Sequence, residues 1–196
     1  MLNQEDKNKI RQQKLNALTA MQLHKNQIST LQQRNRLVES LSIAVSAFYL
    51  TPRLLAKGTS FANIVDNIGE ILAAFLLVLT ILKLINKWQD DEIRHEIMLR
   101  RNRDIVYEAD RLLERQTTNR EVLEQFLRRV KDVDDEDQSL LLNIKRVERQ
   151  KAYRDALKEF GSSASTPCPI CGADPWTFTP GRCEACGGTP VQSRTN

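Results

Sequence analysis

All four cysteines of the chain fall in one short stretch as two Cys-x-x-Cys pairs, Cys168 with Cys171 and Cys183 with Cys186, separated by eleven residues. A Cys-x-x-Cys turn lets both sulfurs face one point, and two such turns complete a tetrahedron with metal–sulfur distances of about 2.3 Å. Gly172 and Gly187 directly follow the second cysteine of each pair, where a tight turn uses the backbone freedom of glycine. The spacing predicts a structural Zn2+ site with Cys168, Cys171, Cys183 and Cys186 as ligands; iron in the same sulfur geometry stays open. Four protein ligands leave no coordination position for substrate or water, so the metal is expected to be structural. An isolated pair would suit thiol–disulfide exchange, but two matched pairs argue against it. Clustering of every cysteine also argues for reduced thiolates in a cytoplasmic setting over a secreted disulfide framework. Without metal the segment buries too little apolar surface to hold a fold. Trp176 and Phe178 have two readings, a small apolar pack over the turns or a contact surface for protein or nucleic acid.

The rest of the chain points away from catalysis. His24 and His95, the only 2 histidines, are distant in sequence, lack a ligand or nucleophile pattern, and read as ordinary polar helix residues. No glycine loop suited to cradling phosphate is present. Asp132 and Asp134 would stand at the first and third positions of a calcium loop, but the sixth position is then Asp137, where the sharp turn requires glycine. The protein is therefore not expected to be an enzyme. Nucleic acid is a poor partner as well: the net charge is only +4, and residues 89–160 carry sixteen Lys or Arg against eighteen acids. Binding to a phosphate backbone wants a concentrated basic surface.

Two apolar segments lie between charged, periodic arms. Residues 40–52, SLSIAVSAFYLTP, contain no charge, and the stretch Leu37–Leu55 reaches nineteen residues with Glu39 and Arg53 near its ends. Residues 71–82, ILAAFLLVLTIL, are denser, and Ile64–Ile85 gives twenty-two residues, enough for a bilayer core of about 30 Å. Residues 56–60, AKGTS, read as the connecting turn, with Thr59 or Ser60 as a helix cap. Seven Lys or Arg precede the first segment, only Arg53 and Lys57 lie near the turn, and Lys83, Lys87, Arg94, Arg100, Arg101 and Arg103 follow the second. By the positive-inside rule this predicts a multi-pass protein of the cell inner membrane with both termini cytoplasmic. No signal peptide is read, because the first apolar run starts behind a long charged segment. Asp66 and Glu70, one helical turn apart, either line a pore mouth or polar face in an oligomer or rest in the outer headgroup zone. A hairpin buried inside a soluble helical bundle is the competing reading.

The elements around the hairpin are helical by pattern. Ile10, Leu15, Leu18, Met21, Ile28 and Leu31 make a loose stripe in a first helix that needs a partner to be stable. Residues 89–131 read as one long charged helix with Ile93, Ile97, Ile105, Leu112, Val122, Phe126 and Val130 at helical intervals; Arg100 and Arg101 disturb the seam of a regular coiled coil. The run KDVDDEDQ at 131–138 predicts a break, with Asp137 or Ser139 capping a last helix to Phe160, and GSSAST at 161–166 reads as a linker. The expected fold class is thus an all-α membrane protein: an N-terminal cytoplasmic helix (1–36), a two-helix transmembrane hairpin (37–88), a cytoplasmic helical region (89–160), a linker (161–167), and a small zinc-ribbon-like module with tail (168–196).

The spacing of Cys168, Cys171, Cys183 and Cys186 resembles that of a bacterial mobile-element family defined by CxxC-x(11)-CxxC, and the hairpin with helical arms is similar in layout to SLATT two-transmembrane effector domains. The resemblance implies an oligomeric membrane effector in prokaryotic conflict or antiviral defence that permeabilises the inner membrane. It further implies a homo-oligomer in the lipid bilayer, with an unidentified sensor or activating protein as partner. The alternative is a membrane-tethered adaptor whose zinc module recruits a protein partner or, as a third reading, nucleic acid.

Overall fold

In the computed structural model the described residues are 3–56, 62–85, 87–114, 119–161 and 166–190. Of the expected turn at 56–60, Ala56 is the last residue of a helix and residues 57–60, with the expected caps Thr59 and Ser60, lie outside the described residues, as does most of the expected linker, 162–165. Five helices follow one another: α1 (Gln4–Ala56), α2 (Ala62–Ile85), α3 (Trp88–Glu114), α4 (Arg120–Leu140) and α5 (Arg146–Phe160). Two units are formed. Unit 1 takes residues 1–26 and 95–196, and unit 2 takes residues 27–94.

α1 begins with a reciprocal cap, since Asp6 N–H donates to Asn3 Oδ1 at 2.7 Å and Asn3 N–H donates to Asp6 Oδ2 at 3.3 Å. The helix then runs unbroken for 53 residues because no Gly interrupts it before Gly58 and its only proline, Pro52, comes near the end. Ile10, Ala17, His24, Leu31 and Val38 recur every seventh residue and are all buried. The partner that α1 needs is supplied within unit 1 by the chain itself.

α3 buries His95, Met98, Asn102, Ile105, Ala109 and Leu112, and α4 buries Leu123, Phe126, Val130, Val133 and Asp137, both by alternating steps of three and four. Phe126, fully enclosed among Ile10, Met98, Ile105 and Leu123, anchors the core. Burying one such side chain contributes about 1.5–3 kcal/mol. The seam explains two departures from the sequence reading. The expected long helix 89–131 is interrupted before Asn119, whose side chain accepts from Glu121 N–H and starts α4. The expected break at 131–138 is instead the last part of α4, because Val133 and Asp137 continue the buried stripe through the acidic run. The chain turns after Leu140, and α5 starts at Arg146.

In unit 2, Gly69 of α2 faces the ring of Tyr49 of α1; a Cβ at Gly69 would lie 1.9 Å from that ring, so only glycine allows the approach. Lys83 Nζ pairs with Glu39 at 3.0 Å, and Asn35 Nδ2 donates to Glu92 at 3.1 Å. The outer surface is apolar: Ile43, Phe48, Ile71, Leu77 and Leu84 are all well exposed.

Two expectations are corrected. Among the described residues only one candidate membrane span occurs, in the helical stretch Asp66–Glu114, whose most apolar 18-residue window has mean hydropathy 2.4 and is 6% buried. The two-span hairpin and the multi-pass inner-membrane topology with both termini cytoplasmic therefore do not hold. The first apolar segment fails because thirteen uncharged residues, three of them Ser and one Tyr, fall short of about twenty apolar ones, and they form the continuation of a charged helix. The fold is an all-α bundle. No β-strand occurs among the described residues, so the cysteine module is not a β-based zinc ribbon; it has one isolated bridge, Pro180 to Gly188. Pro169, Pro175 and Pro180 lack the N–H that a ladder needs.

Candidate metal centre

The two cysteine turns are built alike. Gly172 N–H donates to Cys168 O at 2.7 Å, and Gly187 N–H donates to Cys183 O at 2.9 Å. Both glycines are left-handed, with φ of 71° and 70°, the conformation that lets the chain reverse directly after each pair. The turns are tied further by Cys168 N–H to Ala173 O at 2.9 Å and by Gly181 N–H to Gly187 O at 2.8 Å.

These bonds bring the sulfurs of Cys168, Cys171, Cys183 and Cys186 within 4.8 Å of one another. Cys171 Sγ and Cys186 Sγ are 3.5 Å apart, well beyond a disulfide bond of about 2.05 Å. A tetrahedral ion bonded to four thiolates at about 2.3 Å has sulfur–sulfur edges of about 3.8 Å, so the cage fits a metal ion with little adjustment. Electrostatics favour one early thiolate. Burial raises Cys183, but N–H donation from Cys186 and Ala185 together with the neighbouring thiols outweighs it and holds the group at about 7. Burial raises Cys171 and Cys186. Tyr153 beside the cage is pushed up to about 12, first by burial and then by the charge of the four sulfurs.

α5 presents a ladder to this module. Arg146, Gln150, Arg154 and Lys158 stand at four-residue intervals on one face. Arg146 pairs with Glu184 at 2.8 Å; Gln150 Nε2 donates to Cys183 O at 3.2 Å and Glu184 O at 3.3 Å; Arg154 Nη1 donates to Cys186 O at 2.5 Å. Arg154 also stacks 3.8 Å from the centre of the Phe178 ring, and Lys158 Nζ lies 5.4 Å from that of Trp176. Beneath the ladder, Cys168, Cys183 and Cys186 join Leu15, Leu18 and Met21 of α1 and Ala156 and Leu157 of α5 in one apolar cluster. The module is seated on the bundle. Trp176 and Phe178 form no closed pack over the turns; Trp176 is 64% exposed.

Of the other residues singled out from sequence, Asp66 is half-buried and Glu70 exposed, both on α2. The two histidines are not ordinary polar helix residues. They meet in the core of unit 1, His24 Nδ1 lying 2.8 Å from His95 Nδ1 and His24 Nε2 2.8 Å from Asp137 Oδ1. Asn102 Nδ2 donates to Asp137 Oδ2 at 2.8 Å and to Met98 O at 3.1 Å. All four are buried, and His24 is 0% exposed. The signal that would have found them is register: His24, His95, Asn102 and Asp137 each occupy a position that the apolar repeat of its helix assigns to the core. Asp137 caps no helix.

Residues 7–189 match the family described as "Mobilome CxxCx(11)CxxC protein", which takes in the helical arms as well as the cysteine turns. No curated protein and no solved structure matches the chain.

Proposed function

We propose, from the premise that this chain belongs to the Mobilome CxxCx(11)CxxC protein family, that it is a membrane-tethered, non-enzymatic adaptor whose C-terminal module, closed around a structural Zn2+, recruits a protein partner. The observation that carries the reading is the sulfur cage seated on α5, with four convergent cysteines and no other ligand position. A site of this kind does no chemistry on a substrate; it supplies a rigid shape. Ile170 and Trp176 stand exposed on that shape, and aromatic residues are enriched where proteins meet. α2 supports the tether, because a bare apolar surface of its extent is costly in water and is relieved by lipid. Zn2+ is favoured over iron as the common closed ion of four-cysteine structural sites.

Proximity labelling of the full-length protein in cells tests the adaptor reading. A defined neighbour should be labelled by wild type and lost with Cys168→Ser or Cys183→Ser, while the variants stay in the membrane fraction. An unchanged set of labelled proteins would sink it.

A second reading is supported by one observation, the pair Asp66 and Glu70 one turn apart on an otherwise apolar helix. In that reading several copies assemble and permeabilise a membrane in prokaryotic conflict or antiviral defence once a separate sensor protein activates them. Dye release from liposomes containing purified protein, present for wild type and reduced for Glu70→Leu, is the expected outcome; intact liposomes with and without a candidate activator would remove this reading.

A further inference from the structure

Unit 2 holds a cavity of about 280 Å³ that, among the described residues, is lined by polar side chains alone. Asn35, Arg36 and Glu39 reach it from α1, where steps of three and four residues put side chains on one face; Lys83 comes from the end of α2 and Glu92 from the start of α3. Two glutamines complete the lining. Asn35 Nδ2 donates to Glu92 Oε2 at 3.1 Å, which fixes the amide, because turning it over would set its carbonyl against the carboxylate. Asn35 Oδ1 is then buried with no hydrogen-bond partner among the described residues. A buried acceptor without a partner is costly, and folded proteins keep few of them. What the cavity lacks is an N–H or O–H donor.

Charge and position narrow the choice of donor. Lys83 Nζ and Glu39 Oε1 lie 3.0 Å apart and neutralise each other, so Arg36 and Glu92 offer a ligand one charge of each sign. The cavity stands where α2 changes character: residues 71–82 carry no charge, Lys83 follows them directly, and Ile81, Leu84 and Ile85 are exposed around it. If lipid covers that apolar surface, the cavity falls at the depth of the headgroups, and Trp88, half-buried at the start of α3, suits the same boundary. Sites for drug-sized ligands run from about 300 to 1,000 Å³, so this smaller polar space takes a headgroup and excludes acyl chains.

We propose that the cavity binds the headgroup of an aminophospholipid, whose primary ammonium donates to Asn35 Oδ1 beside the Glu92 carboxylate and whose phosphodiester meets Arg36. The inference rests on the membrane-tether reading and gives that tether a lipid class. A choline headgroup has the same two charges but no N–H, so it leaves Asn35 Oδ1 without a donor. A glycerol headgroup has O–H donors but no positive charge, so its lipid brings net negative charge against Glu92 and Glu39. A lone phosphate or metal cation matches only one of the two signs.

Purified full-length protein is mixed with vesicles of phosphatidylcholine that contain equal minor shares of phosphatidylethanolamine and phosphatidylglycerol, then extracted in mild detergent, and native mass spectrometry counts the lipids it retains. Phosphatidylethanolamine should be enriched about tenfold over phosphatidylcholine relative to the starting vesicles, the scale of one charge-assisted hydrogen bond. Asn35→Leu keeps the volume and removes the acceptor; it should lose the enrichment and still sediment with pure phosphatidylcholine vesicles. Arg36→Gln, at an exposed position that does not threaten the fold, should lower the enrichment severalfold. Retention of the three lipids in their vesicle proportions overturns the inference, since water then serves Asn35, and so does an enrichment that survives both substitutions. Saturable binding of soluble glycerophosphoethanolamine without any preference among the lipids overturns the lipid source. Protein that sediments with no vesicle removes the tether reading and this inference with it, whereas protein that sediments with all of them and shows no preference removes this inference alone.

Discussion

α4 and α2 are of similar length, 21 and 24 residues, yet they solve burial in opposite ways. α4 places Leu123, Phe126, Val130 and Val133 on one stripe and keeps most of its charges outside it, so its partner is another helix of the same chain. α2 carries no charge from residue 71 to residue 82, is apolar on every side of that stretch but for Thr80, and leaves Ile71, Phe75, Leu77 and Leu84 uncovered. An apolar stripe makes a helix part of a soluble core, whereas a helix that is apolar all round needs a surrounding that is not water. Unit 1 is held by its own side chains and, at its C-terminal end, by four sulfurs; unit 2 leaves its main apolar surface for something else to cover.

The comparison breaks first, and most severely, at the metal. Chelation, or Cys183→Ser, should unfold residues 168–189 while the α-helical circular dichroism stays nearly intact, because a structural ion of this class supplies on the order of 10 kcal/mol of folding free energy. Limited proteolysis with and without chelator checks it. Metal occupancy should fall as pH is lowered, since all four thiols must lose their protons to bind; burial keeps Cys171 and Cys186 raised and makes them the last to do so.

The next effect tests the two regions against each other. Phe126→Ala should destabilise unit 1 by about 3–5 kcal/mol in chemical denaturation, the ordinary cost of emptying a packed aromatic site. Phe75→Ala, at a half-exposed position on α2, should leave that transition unchanged and weaken only the affinity for lipid vesicles. If the two substitutions behaved alike, the distinction between the units would be lost. Smaller again, Gly187→Ala should cost about 1–2 kcal/mol, read as roughly a tenfold loss of metal affinity, because alanine resists the left-handed backbone there and its Cβ would meet Gln150 Oε1 at 2.8 Å. Arg120→Ala, which removes an exposed i,i+4 pair with Glu124, should move the midpoint by less than about 0.5 kcal/mol.

The convergence of the four cysteines was legible from the sequence because its members are local: two short turns, each closed by a following glycine, dictate where the sulfurs point. The helical class was legible too, from the absence of Gly and Pro in long stretches. What escaped was set by distant contacts. The acidic run at 131–138 looks like a break until Val133 and Asp137 are given places on the seam of α4. His24 lies 71 residues from His95 and 113 from Asp137, so no local pattern joins them; only their register on three separate helices does. The first apolar segment misled for the opposite reason, since a short uncharged stretch looks like a span until it proves to be the continuation of a 53-residue helix. The bridge between Pro180 and Gly188 never grows into a ladder, which a cysteine spacing alone does not reveal.

Alkaline washing of membranes from cells that express the full-length chain tests the difference between the units most directly. The protein should stay in the pellet and leave it only with detergent if the proposed tether is right and lipid covers the exposed face of α2. Recovery of a folded protein in the aqueous wash, with Ile71, Phe75 and Leu84 protected from solvent by its own helices or by another copy, would contradict the account.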